Sequence, residues 1–526
     1  MKHRCCVGKA VLLLLVALMT SGATAETDGR VTDSVVSPLR DGGPAPAPVP
    51  WDLADPLLFH EGNRLELEAP DVARLISEDL DRPQPSPLRT GVVLDVEVSP
   101  VGQGQWTRLD GGGWTWTMSF AVPGAVALNL RFEPFVLPDG TELRVYGATG
   151  LDGNGSPRAA RVYRGPIRKK RYATADVYDE EIRVEYRVSS RVDPEEAFSA
   201  WRITGIVFGY RGPDGDLGED FTPSSCHINA KCHEGAWGGE IGATVYLWYL
   251  SGPEKENCSG AIMNRVAADF TPIIATANHC GINNTTVTGV HAIWGYETST
   301  CTGGTPPDPN SLPDTLGQVA LINHTASDWS LFGTEFDVPS GTLWVGYDAT
   351  HWPNSSSGTG IHHPMGSYKR ISFSNKYDDG TSQSGWQVYW VRHSQGDGLV
   401  EVGSSGSAVF DSAHRTRGVL SVTFTPVNCP TGYNDAGYGR MDIAWPYLQP
   451  FLDPTDPVYV DRSWTGEEKG TSDKPFNEFL EGAYAVIAGH HLYVEAGNYA
   501  EKGTLKKAMI VHATNGTVVL GAGAAW

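Results

Sequence analysis

The sequence predicts a mostly β protein, and three observations carry that expectation. Glycine (61), proline (35), tryptophan (16) and tyrosine (20) are abundant among the 526 residues, which suits sheets joined by tight turns. Short alternating or β-branched runs recur along the chain, and few long helical stretches stand out. Charged residues are 19% and hydrophobic residues 40%, enough apolar material for a sizeable core and too little charge for long disorder. The length fits about three domains at the usual ~150 residues each. The net charge of −21 argues against a nucleic-acid surface, which carries a basic footprint. It argues equally against an anionic membrane as the main partner.

Taken in order, residues 1–25 read as a secretory signal peptide. Lys2, Arg4 and Lys9 form a positive start, Val11 to Met19 an apolar run, and Ala23-Thr24-Ala25 a small-residue cleavage site. The apolar run is too short to span a bilayer, so a secreted, extracellular protein is expected. Residues 26–57 are rich in Pro, Ala, Gly and Asp and predict a flexible leader. From Leu58 to about Tyr210 the runs Gly91–Val98, Ala125–Phe132, Leu143–Tyr146 and Ile182–Tyr186 predict a β-sandwich with its own core. Arg168-Lys169-Lys170-Arg171 is the one dense basic run and reads as a solvated loop. A polar Gly-rich linker, 211–220, leads to a cysteine-bearing domain that runs to about Leu452. Asp453-Pro454-Thr455-Asp456-Pro457 is a second linker. The boundaries expected are therefore 1–25, 26–220, 221–453 and 454–526.

Loss of the signal peptide removes Cys5 and Cys6. Cys226, Cys232, Cys258, Cys280, Cys301 and Cys429 remain, all in the central domain. An even number in an oxidising compartment predicts three disulfides, with the pairing open. No CxxC pair or close Cys/His cluster is present, so neither a metal nor another cofactor is expected.

Three short segments carry chemistry. In Ile274-Ala275-Thr276-Ala277-Asn278-His279-Cys280, an apolar strand delivers a histidine beside a cysteine whose disulfide would fix the loop. A catalytic histidine keeps one ring nitrogen on a nucleophile and the other on an orienting acid. In Ala326-Ser327-Asp328-Trp329-Ser330-Leu331, apolar neighbours are expected to bury an aspartate, which then needs a hydrogen-bond donor such as an imidazole N–H. Asp314, Glu335 and Asp337 are the competing acids. In Gly403-Ser404-Ser405-Gly406-Ser407, small residues allow a tight turn that exposes a serine and points backbone N–H groups at one place.

The chain order His–Asp–Ser resembles the chymotrypsin-type, trypsin-like proteases, whose signatures are TAAHC and GDSGGP. Here the acid before the serine is replaced by Ser404, and Ser407 and Ala408 stand where Gly and Pro are usual, which implies a different route to activation. The central domain more closely resembles the bacterial lysyl endopeptidases, which are secreted with an N-terminal propeptide. The matching landmarks are the six cysteines, Ile361-His362-His363-Pro364, Lys369-Arg370-Ile371-Ser372 and Tyr438-Gly439-Arg440. The resemblance implies a chymotrypsin-like double β-barrel over 221–453, with 26–220 as propeptide. It implies bridges Cys226–Cys429, Cys232–Cys301 and Cys258–Cys280. It also implies Ser405 as nucleophile, His279 as general base and then acid, Asp328 as its orienter, and the N–H groups of Gly403 and Ser405 as the oxyanion hole. Partners so implied are protein or peptide substrates and the chain's own propeptide.

Specificity departs from the pattern. Asp435 is the candidate carboxylate for a substrate Lys or Arg, yet it sits one residue further from Tyr438 than in the family, and Thr423 stands where the family has a histidine. The pocket tryptophan is Trp386 or Trp390. The region near Asp220-Phe221 lacks the lysine that self-cleavage would use. Residues 458–526 resemble the opening coils of right-handed parallel β-helices, with Phe476–Ala488 as a capping helix. A carbohydrate or a protein is the kind of ligand such a segment would take. Two other readings compete: a catalytically inactive protease-like binding or adhesion protein, and a metal-dependent hydrolase using His362 and His363.

Overall fold

Two sets of short strands between Thr244 and Arg440 each curl until the first strand meets the last. The computed structural model describes residues 29–39, 63–83, 85–110, 112–149, 161–211, 223–423 and 434–521. It is 45% strand and 14% helix, with two closed six-stranded barrels. In the first barrel the order around the wall is Glu254–Ile262, Thr244–Ser251, His291–Ile293, Asp314–His324, Trp329–Thr334 and Ile273–Ala277, which pairs back to the start. In the second it is Thr416–Thr423, Ala408–Phe410, Ser357–His362, Arg370–Thr381, Gln387–His393 and Asn434–Arg440, closed by the pairing of first and last. Closure leaves no free edge within either wall. The two closed barrels agree with the chymotrypsin-like double barrel that the resemblance implies.

The N-terminal region folds as two sheets over one core. Trp116, Phe120 and Tyr186 of one sheet meet Leu130, Phe132 and Phe208 of the other. One of these sheets is continuous with the first barrel, because Leu88–Val98 pairs antiparallel with Glu254–Ile262. The leader differs from expectation. Val31–Thr32 and Val35–Val36 are strands paired with Tyr347–Asp348 and Leu343–Trp344. Backbone groups satisfied in this way cannot stay free, so residues 29–39 are part of the barrel surface. Residues 1–25, expected to be a signal peptide, and Cys429 lie outside the described residues. Among the described residues, no helix is long and apolar enough to cross a membrane.

Cys232–Cys301 and Cys258–Cys280 are bridged, and Cys226 is also disulfide-bonded.

After the helix Met441–Leu452, residues 458–520 form a parallel three-stranded sheet of Val458–Val460, His491–Tyr499 and Ile510–Leu520. The expected capping helix is shorter, Phe479–Ala485, and wholly buried. It shares a core with the first barrel. Arg265, 1% exposed, donates to the carbonyls of Tyr484 and Ala485 at 2.6 Å each, meeting the orphan acceptors at the helix end. Tyr484 in turn donates to the carbonyl of Thr334. Arg265→Ala would leave the Ala485 carbonyl buried without a donor, the Tyr484 carbonyl with only Lys507 Nζ at 3.1 Å, and Asp269 without its guanidinium partner. It should destabilise the protein by about 3 kcal/mol or more, read as a lower denaturation midpoint. An unchanged midpoint would show that this segment does not brace the barrel.

Candidate functional site

The strand Ile273–Ala277 is fully buried and ends in a single tight turn, Asn278–Cys280, that presents His279. The Cys258–Cys280 bridge ties that turn to the neighbouring strand. His279 Nδ1 lies 2.7 Å from Asp328 Oδ2, and the His279 backbone N–H donates to Asp328 Oδ1 at 2.8 Å. Both carboxylate oxygens are thereby committed to one residue. Asp328 is fully buried and has a φ of 55°, a left-handed conformation that aspartate tolerates better than bulkier residues. The next residue, Trp329, donates its indole N–H to Gly439 O at 2.8 Å, across to the second barrel. The bond to Nδ1 leaves Nε2 as the nitrogen available to a substrate or hydroxyl. Nε2 is buried and makes no hydrogen bond among the described residues.

Ser405 lies between two glycines with positive φ, Gly403 (90°) and Gly406 (82°). A Cβ on Gly406 would fall 2.1 Å from Thr276 Oγ1, so the turn presses directly on the histidine-bearing strand. Ser259 of the first barrel donates its N–H to Ser405 O at 2.8 Å and its hydroxyl to Gly403 O at 3.0 Å. Cys280 Sγ lies 3.9 Å from Ser405 O, so the serine turn and the histidine turn are neighbours. Among the described residues, no hydrogen bond uses the backbone N–H of Gly403 or Ser405.

Trp386 lies beside the candidate histidine. Its ring stacks on His279 with centroids 5.5 Å apart and planes 12° from parallel. The two residues are 107 positions apart, and no local pattern connects them. Thr423 donates to Val400 O at 3.1 Å and lines a narrow cleft with Ser405, Leu420, Ser421 and Val422. Asp435 does not line it. Its carboxylate takes two bonds from Arg392, at 2.6 and 2.8 Å, and this pairing holds it below the usual carboxylate range. Direct cross-strand register puts the two residues opposite each other. His362 and His363 have separate commitments: Nδ1 of the first lies 2.8 Å from Ser404 Oγ, and Nδ1 of the second 2.9 Å from Ser367 O.

The far wall of the cleft is unexpected. Pro85 and Ser86, from the link between the helix Val72–Asp81 and the strand Leu88–Val98, lie against Ser405 and Ser421–Thr423. Arg82 anchors the link by donating to Glu254 and Glu256 at 3.0 and 2.7 Å.

Residues 222–434 match the family model described as lysyl endopeptidase, C-terminal domain. The chain is 24% identical over 431 residues to a lysyl endopeptidase of Pseudomonas aeruginosa, covering 77% of this chain and 88% of that protein. Among solved structures, it is similar to the HtrA-type protease AlgW with tripeptide (TM-score 0.30, 16% identity, 41% of this chain and 62% of AlgW). It is also similar to the Rv3671c protease of M. tuberculosis, active form (TM-score 0.30, 14% identity, 46% of this chain and 96% of that one). The chain thus spans less than two thirds of AlgW.

Proposed function

We propose that the chain is a trypsin-like serine endopeptidase that hydrolyses peptide bonds with Ser405, His279 and Asp328 by way of a covalent acyl-enzyme. The observation that carries this is the pair of hydrogen bonds between His279 and a fully buried Asp328, in a turn that touches the serine turn. In this reading Asp328 holds the proton on Nδ1. Nε2 then accepts the Ser405 proton as Oγ attacks the scissile carbonyl. The N–H groups of Gly403 and Ser405 receive the developing oxyanion, each such donor contributing about 3 kcal/mol to the transition state. His279 passes its proton to the leaving amine, and water repeats the sequence to free Ser405.

Export on residues 1–25 fits the disulfides, which belong to an oxidising compartment. The relative's name supports cleavage after lysine. Asp435 serves that specificity in this reading when the substrate's cation displaces Arg392, whose side chain is 44% exposed. Residues 26–220 act as the chain's own inhibitor in this reading, which is supported by Pro85 and Ser86 lining the same cleft as Ser405. The C-terminal segment braces the first barrel through its shared core.

The test is mass spectrometry of a protein mixture digested by the processed enzyme. Cuts should follow Lys or Arg, and Asp435→Asn should scatter them. The unprocessed chain should react with an active-site serine reagent far more slowly than the processed one. Equal rates before and after processing would remove the inhibitory role. Absence of labelling at Ser405 in the processed protein would favour a binding protein over an enzyme.

A further inference from the structure

Ser404 is fully buried between the two residues assigned to the oxyanion hole. Its hydroxyl oxygen accepts the N–H of Glu401 at 3.4 Å and lies 2.8 Å from His362 Nδ1. The Ser404 hydroxyl and His362 Nδ1 therefore share one hydrogen bond, whose direction follows the tautomer of the ring. Beside it, Glu401 Oε2 takes a bond from His227 Nε2 at 2.8 Å and from the Ser224 N–H at 3.2 Å. Ser224 Oγ bonds the other carboxylate oxygen. The rings of His227 and His362 are 5.6 Å apart. Burial holds both histidines below the usual range, His362 far below, so both are neutral rings at neutral pH. His363 closes the circuit from the other side: its N–H donates to Ser259 Oγ at 3.0 Å, and that hydroxyl holds Gly403 O. Three separate segments therefore converge on a turn of six residues.

We propose that the Ser404–His362 and Glu401–His227 pairs are positioning devices that lock the 401–406 turn, so that the N–H groups of Gly403 and Ser405 aim at one point. The assignment rests on the reading of those two groups as the oxyanion donors. The turn needs such a lock because two of its residues hold positive φ, and an unsupported Gly-Ser turn has many alternatives. Every member of the lock lies between Ser224 and Ser405 and is already bonded in the unprocessed chain. Freeing a new N-terminus is then not needed to form the turn.

The test compares Ser404→Ala, Ser404→Thr, His362→Leu and His362→Asn in the processed enzyme. Thr keeps the hydroxyl, and Asn keeps an acceptor near the place of Nδ1. Three quantities are read: kcat, KM, and the inhibition constant of a peptide aldehyde, which forms a tetrahedral adduct. Ser404→Ala and His362→Leu should lower kcat by about 10- to 100-fold with KM nearly constant, and weaken the aldehyde by a similar factor. Ser404→Thr and His362→Asn should recover most of both. Wild-type kcat and aldehyde affinity in Ser404→Ala would overturn the proposal. So would a rise in KM at constant kcat, or failure of the two conservative variants to recover. Turnover by Ser405→Ala would sink the underlying assignment of the site instead, a result the Ser404 series cannot imitate.

Discussion

Ser405→Ala is expected to yield a folded protein whose peptidase turnover is lower by about 10⁶-fold, the loss typical when such a nucleophile is removed. The substitution takes away one hydroxyl and nothing that holds the turn. The anchors next to residue 405 are backbone bonds, Ser259 N–H to Ser405 O at 2.8 Å, Gly406 N–H to Leu420 O at 2.9 Å and Ser407 N–H to Ser404 O at 3.0 Å, and the side-chain anchors of the turn come from Ser404 and Glu401, not from Ser405. All survive in alanine, and the 7% exposed side chain shrinks without leaving a large void. The thermal midpoint should therefore move little while covalent labelling disappears. Wild-type-like turnover in this variant would remove the serine mechanism altogether.

Asp328→Asn should lower kcat by about 10⁴-fold with the fold intact. The carboxylate now accepts from both His279 N–H and Nδ1–H. An asparagine keeps its carbonyl on the backbone N–H and turns its NH₂ toward Nδ1. Nδ1 must then accept, the ring proton moves to Nε2, and Nε2 can no longer take a proton from Ser405. The backbone of residue 328 is held independently, its carbonyl by the N–H of Asn278 at 3.0 Å, and asparagine tolerates the left-handed φ as aspartate does. Nitrogen NMR of the imidazole should report the exchange of tautomers along with the lost turnover. A variant with unchanged kcat and the original tautomer would refute the role given to Asp328.

Much of the fold was legible because it is written in nearest neighbours along the chain. Alternating apolar runs mark strands, and Ile274–Ala277 followed by His279-Cys280 marks a strand that ends at a chemically useful turn. The resemblance carried by the cysteines also implied the two bridges now seen, Cys232–Cys301 and Cys258–Cys280. Other features lay beyond local reading for identifiable reasons. The leader reads as Pro- and Gly-rich, but its two short strands find partners about 310 residues away. Asp435 looks like a free carboxylate until strand register sets Arg392 directly opposite. The tail reads as a separate module, yet its helix Phe479–Ala485 lies in the core of the first barrel.

By itself the sequence determined the class of fold, the order of its parts and the residue types that chemistry requires, because propensity, periodicity and turn preference act over a few residues. The tertiary structure alone decided which side chains meet: Trp386 on His279, Arg392 on Asp435, His362 on Ser404, and Pro85 and Ser86 in the cleft beside Ser405. Those encounters depend on barrel closure and strand register, and a slip of one residue in register turns every side chain of a strand to the opposite face. Contacts between distant segments are therefore set by the packing of the whole core, which no local pattern encodes.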